Sequence, residues 1–163
     1  MLNKPDDFPI HIMLRFSDAL LREGNTIPLH QQVIKERAAV WYGKTGKPLA
    51  RGHVARINAQ CEAGIPTFLY LVQRVRGNYE LHKGVVEAMS RDYPKHESSF
   101  VPEYYAQEEF LRKIRLWTRL RKLSRAPEDE LRKLVLLNTG MPARLSLLHS
   151  MAGLFIVRRY DSG

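Results

Sequence analysis

Apolar and polar residues alternate with a period of two from Ile10 to Phe16, with Ile10, Ile12, Leu14 and Phe16 on one face and His11, Met13 and Arg15 on the other. That period predicts an opening β-strand. A turn-rich stretch, REGNT, follows, and Pro28 suits the first turn of a short helix whose apolar side is Leu29, Val33 and Ile34. Ala39–Tyr42 reads as a second short strand. GKTGKP (43–48) reads as a loop, because Gly43, Gly46 and Pro48 punctuate it. Val54, Ile57 and Cys61 recur at i, i+3, i+7 along a second helix, which Gly64 and Pro66 end.

TFLYLVQ (67–73) is apolar on both faces, the pattern of a central buried strand. RGN makes a hairpin turn into the returning strand YELHKGVVEAM (79–89), where Gly84 marks either a bulge or a close backbone approach. Residues 91–109 are polar and contain prolines, so they read as a long loop with room for a short helix at AQEEF. Loops of that length in compact domains are usually functional or mobile. Lys113–Leu123 alternates again: Ile114, Leu116, Thr118 and Leu120 face one side, and Lys113, Arg115, Trp117, Arg119 and Arg121 the other. Pro127 opens a short helix with Leu131 and Leu134 inward, its N-terminus suited by Glu128, Asp129 and Glu130. VLLN (135–138) reads as a strand end, ARLSLLHSM (143–151) as a helix stopped by Gly153, and LFIVRRY (154–160) as a closing strand. Without repeats or a low-complexity linker, one domain is expected over residues 1–163, its core about 10–160. Short strands interrupted by short helices predict an α+β fold with a small, curved, mostly antiparallel, barrel-like sheet, since half-closure protects sheet edges.

The chain has 163 residues, 44% hydrophobic and 26% charged, enough to bury a core without staples. Cys61 is the sole cysteine, which excludes a disulfide framework and a cysteine metal cluster and leaves it as a small buried hydrophobe. No apolar run approaches the ~18 residues of a membrane span. The start MLNKPDDFPI carries Asp6 and Asp7 and no apolar secretory core, so a cytoplasmic location is expected, with no membrane partner. The net charge of +9 and pI near 9.9 point to a polyanionic partner.

Three features carry candidate chemistry. On the strand face of Lys113, Arg115, Trp117, Arg119 and Arg121, cations every second residue suit a phosphate backbone; the same pattern also fits a solvated face with Trp117 packed under the long loop. Trp41 and Tyr42 precede Gly43, Lys44 and Thr45, and an aromatic at a strand end beside a glycine loop can wall a base pocket. Neighbours on a strand point to opposite sides, so at most one of the pair lines any given pocket, and Trp41 is equally a core residue by type. Phe100, Tyr104 and Tyr105 give the polar loop SSFVPEYY three aromatics, able to close over a ligand or to anchor the loop. Ser17 and Asp18 follow the first strand, where they can read a base edge or cap a turn. GKT at 43–45 is not a P-loop, because the preceding glycine that motif needs is Ala38 here. The six histidines show no metal-ligand spacing, and no nucleophile motif occurs. No metal, cofactor or enzymatic activity is therefore expected.

The segment from Ala38 to Ser90 resembles YTH domains and the related EVE domains of the PUA-like superfamily. YELHKGVVEAM matches a strand of the form FxGVAEM through Gly84-Val85-Val86-Glu87-Ala88-Met89, IRLWTRL resembles a later Trp-bearing strand, and HIMLRFSD resembles the opening strand. The resemblance spans roughly residues 10–160. It implies an aromatic cage for a flipped-out modified base such as N6-methyladenine or 5-methylcytosine. Trp41 would be the first cage tryptophan, and Ser17 and Asp18 the polar pocket edge. Phe100, Tyr104 or Tyr105 would substitute for a second tryptophan, which SSFVPEYY lacks. Lys44 and Lys47 would join the strand cations on phosphates. Such domains serve as specificity modules of modification-dependent restriction systems, which implies a nucleic-acid ligand, modified DNA ahead of RNA, and a nuclease or NTPase effector. Two alternatives come from other classes: an ASCH-like amidohydrolase of a modified nucleoside using Lys44, Thr45 and Glu87, and a sequence-independent RNA or DNA clamp, or a protein–protein adaptor, that uses the basic face alone and has no pocket near Trp41.

Overall fold

The computed structural model describes residues 8–16 and 26–160. One sheet holds β1 (His11–Arg15), β2 (Val40–Thr45), β3 (Phe68–Val75), β4 (Asn78–Ser90), β5 (Ile114–Ala126), β6 (Leu134–Leu136) and β7 (Leu154–Arg159), in the order β2-β5-β4-β3-β1-β7-β6. All its strand pairs are antiparallel except β1 with β3. Around it lie α1 (Thr26–Arg37), α2 (Arg51–Glu62), α3 (Glu108–Lys113), α4 (Asp129–Arg132) and α5 (Ala143–His149), with 3-10 turns at Lys95–Phe100 and Glu103–Ala106. This is the α+β, barrel-like architecture expected from the sequence.

The sheet is strongly curled. In a flat sheet β1 and β2, four strand positions apart, would be separated by about 19 Å. Instead the Lys44 ammonium of β2 donates to the Arg15 carbonyl of β1 at 3.3 Å. The curl buries Ile12, Leu14, Leu69, Leu71, Val86, Leu116 and Leu120 inside, closed by Ile57 of α2 and Ile27 of α1. The opposite face of the same strands places Met13, Tyr70, Val72 and Leu81 against Leu131, Leu147 and Phe155. β3 is therefore apolar on both faces because both are covered.

Polar side chains dock α2 onto strand backbone. The Gln60 amide receives the Ile10 N–H and donates to the Ile10 carbonyl, both at 2.9 Å. Asn58 makes the same two bonds to Met89, at 2.8 and 2.9 Å. Arg76 and Gly77 join β3 to β4 with φ of 51° and 83°, the positive values a two-residue type I′ turn requires.

Four local expectations shift. β2 continues through Gly43, Lys44 and Thr45, so the loop begins only at Gly46. Lys113 ends α3 rather than opening β5. α1 turns Ile27 and His30 inward, with Val33 and Ile34 half-buried beside them. The polar segment 91–113 is a cover of short helical turns lying over a third cluster of Trp41, Tyr105, Ile114 and Trp117.

Gly84 is a close approach: a Cβ there would stand 3.0 Å from both Leu120 methyls and 3.3 Å from the Lys122 carbonyl. The register shifts fall just beyond it, around Val86. Gly84→Ala is expected to cost about 2 kcal/mol, which lowers Tm by roughly 4–8 °C. Urea and thermal unfolding measure this, and an unchanged midpoint would mean Leu120 simply swings aside.

Candidate functional site

β2 is an edge strand, and its parity decides which side chains meet a ligand. Tyr42 pairs with Thr118 and Lys44 with Leu116, on the face that looks into the curl. Trp41 pairs with Arg119 and Gly43 with Trp117, on the face beneath the cover. Gly43 permits that arrangement: a Cβ would lie 3.0 Å from both the Trp117 ring and the Ile114 Cδ1. Trp41 is 5% exposed and Trp117 1%, the latter with the rings of Tyr93 and Tyr105 at 5.4 and 5.2 Å. Both indoles are thus core residues under the cover.

A chain of hydrogen bonds fixes the cover to β2. His30 Nδ1 lies 2.7 Å from the Thr26 carbonyl, which can only accept, so Nδ1 carries the proton. Nε2 is then an acceptor, and the Tyr105 hydroxyl donates to it at 2.9 Å. The same hydroxyl accepts the Gly43 N–H at 3.0 Å. Burial supports this state by lowering the His30 pKa from 6.5 to about 4. It also raises the Tyr105 phenol well above its usual range.

With Tyr105 so held, Tyr104 stacks on it at 4.2 Å and Phe110 at 5.7 Å. These rings form one side of a half-open cavity of about 350 Å³. Tyr42, Gly43, Lys44 and Thr45 of β2 form another side, and Thr26, Arg15, Phe16 and Gly153 complete it. Arg15 is committed elsewhere, since its guanidinium donates to the carbonyls of Leu147, Ser150 and Ala152 at 2.8, 2.6 and 3.2 Å. Lys44 is not: its ammonium sits against bare Gly153, with only the Arg15 carbonyl as partner among the described residues. Burial lowers its pKa, and no carboxylate among the described residues lines the cavity. The result is an aromatic pocket with a Lys44 ammonium that no carboxylate among the described residues offsets.

The Pua-like family model matches residues 12–150. The chain belongs to the Pua-like family. The curled, mostly antiparallel sheet agrees with that assignment, which supports a nucleic-acid-binding module in the general sense. No curated protein and no solved structure is detectably similar to the chain. Among the described residues of this Pua-like domain, no helix is long and apolar enough to cross a membrane.

Of the residues the sequence singled out, the fold brings Tyr42, Lys44, Tyr104 and Tyr105 to the Pua-like cavity. Trp41 is not in its wall, a correction that follows from strand parity. Phe100 is also elsewhere, under the Arg119 guanidinium at 5.2 Å. Arg119 is no phosphate ligand, because it pairs with Glu87 at 2.7 Å and Glu97 at 3.1 Å. The continuous cationic stripe is therefore broken: Lys113 belongs to α3, Trp117 is buried, and Arg115 and Arg121 remain exposed, as does Lys47. Ser17 and Asp18 lie outside the described residues. Lys44 and Thr45 share the cavity, but Glu87 does not line it and faces Arg119, so the three residues of the amidohydrolase alternative are not assembled. The sequence alone did not single out His30, Phe16, Thr26 or Phe110. For Phe110 the signal was present, an aromatic just after two tyrosines.

His11 has its pKa lowered to about 4 as well, by burial and then by the charges of Arg159 and Lys83. For both histidines the folded pKa lies below the unfolded 6.5. Their contribution is therefore fully present above pH 6.5 and is lost as pH falls toward 4, by up to about 3 kcal/mol each. The urea midpoint is expected to drop between pH 6.5 and 5, above the range of most carboxylates, and His30→Gln should roughly halve that slope. A flat midpoint over this window would contradict the neutral-histidine assignment.

Proposed function

We propose that this domain is a nucleic-acid reader that seats one base, swung out of its strand, in the cavity beside Tyr42. The observation that supports this most is the pairing of three aromatic walls (Tyr42, Tyr104 and Phe110) with a Lys44 ammonium that no carboxylate among the described residues offsets, in about 350 Å³. An extruded base needs flat π-faces and a few donors for its edge. Here Lys44 donates to a base carbonyl or to the adjoining phosphate, and the Thr26 and Thr45 positions border the same space.

A methylated base is the ligand we favour. Its methyl group gains contact with aromatic walls, while an unmodified base leaves that space empty, a difference of ~1–3 kcal/mol. In this reading Tyr42 takes the place that the YTH and EVE resemblance gives to Trp41. That resemblance also supplies the biological setting, specificity for a nuclease or NTPase acting on modified DNA or RNA.

Fluorescence anisotropy against short oligonucleotides carrying N6-methyladenine, 5-methylcytosine or no modification tests the reading. Tyr42→Ala is expected to weaken binding of the preferred oligonucleotide by about 10–100-fold, the ~1–3 kcal/mol of one base–aromatic stack, and to erase any preference among them. Trp41→Phe should lower stability yet leave the preference intact. If Tyr42→Ala binds every oligonucleotide as the parent does, the cavity is not the base site.

A further inference from the structure

We propose a second nucleic-acid contact: Arg51, Arg91 and Arg115 grip a backbone phosphate of the same strand whose base occupies the Tyr42 cavity. The proposal rests on the base-reading function and extends it to a site outside that cavity. The three arginines line one hollow of about 480 Å³, together with Pro48, Ser90 and Asp92. They come from the start of α2, the residue after β4 and the start of β5, so the constellation exists only in the folded domain. Three arginines against one aspartate leave the wall at +2.

These guanidiniums are uncommitted. Among the described residues, Arg51, Arg91 and Arg115 have no hydrogen-bond or ion-pair partner. Elsewhere Arg15 holds the end of α5, Arg119 is shared by two glutamates, and Arg125 and Arg144 each face a glutamate. Three guanidiniums without a partner among the described residues surround one hollow, and the guanidinium fork matches phosphate oxygens bidentately.

Position selects the anion. Thr45 lines the base cavity and Pro48 lines this hollow, three residues apart on the β2–α2 connection. Three residues reach at most about 11 Å. Phosphates along one strand of a duplex advance about 3.4 Å each, so the hollow lies within about three nucleotides of a seated base. Lys47, exposed on the same connection, lies between the two sites in sequence. The arrangement fits a strand that gives its base to Tyr42 and a neighbouring phosphate to the arginines, rather than an acidic protein surface.

The test is the triple variant Arg51→Gln, Arg91→Gln, Arg115→Gln, with urea unfolding to verify the fold and the three single variants as a second series. The probes are a single-stranded DNA of roughly 12 nucleotides with and without the modified base, the free modified nucleoside, and polyglutamate of matching charge. The triple variant is expected to bind both DNAs at least tenfold more weakly at low salt. The slope of log K against log salt should become shallower by about 0.7 for each phosphate that is no longer neutralised, while nucleoside binding is unchanged. An unchanged affinity and slope would overturn the proposal. So would polyglutamate binding that matches DNA in the parent and disappears in the triple variant, because that assigns the hollow to acidic protein. Failure of the base reading looks different: Tyr42→Ala has no effect and the nucleoside does not bind, whereas the salt slope still reports on the arginines.

Discussion

A single proton position organises this molecule. Because the Thr26 carbonyl can only accept, His30 must carry its proton on Nδ1, and Nε2 is left to receive the Tyr105 hydroxyl. That hydroxyl in turn satisfies the Gly43 N–H, a backbone donor that an edge strand would otherwise leave to solvent or to another chain. Three segments far apart in sequence are locked through the Tyr105 hydroxyl, whose shortest acceptor is His30 Nε2 at 2.9 Å, against 3.4 Å to the Gly43 carbonyl. Protonation of the imidazole would turn Nε2 into a donor, oblige the Tyr105 hydroxyl to turn its proton toward the Gly43 carbonyl, and place a charge in a fully buried position.

The cover that Tyr105 anchors is polar in sequence and has no reason of its own to lie on the sheet. A second clamp secures its other end, where Arg119 reaches both Glu87 of β4 and Glu97 of the cover while lying over the Phe100 ring. These pairs are partly exposed and individually modest in energy. Their value is positional: they hold the segment whose Tyr104 and Phe110 rings oppose Tyr42. The cavity is thus half strand and half cover, and its shape depends on both clamps.

The sequence made the elements legible because both faces of each strand are covered or patterned in a regular way. The period-two runs at 10–16 and 113–123, and the doubly apolar run at 67–73, correspond to β1, β5 and β3. Gly84 announced a crowded position, though Leu120 and Lys122, which crowd it, are invisible in one dimension. At the site, alternation shows that Trp41 and Tyr42 face opposite ways, but not which side the cover takes. Size and aromaticity favoured the indole; packing leaves both rings equally buried, at 5% exposure, but the cavity forms on the side that Tyr42 takes. The same limit applies to charge. Arg119 looks like its neighbours until Glu87 and Glu97 arrive from other elements, while Arg51 and Arg91 gain meaning only beside Arg115.

The placement of β1 has a consequence for how the domain forms. This strand lies between β3 and β7, with Ile12 beside both Leu69 and Ile156. One neighbour is separated from it by a crossover containing two helices and another strand, and the other by nearly the whole chain. Closing such wide loops costs entropy before any contact repays it, so assembly belongs in the slow, millisecond-to-second regime of non-local topologies. While β7 is still within the ribosome, β1 lacks one ladder, which delays completion of the sheet until almost all of the domain has been synthesised.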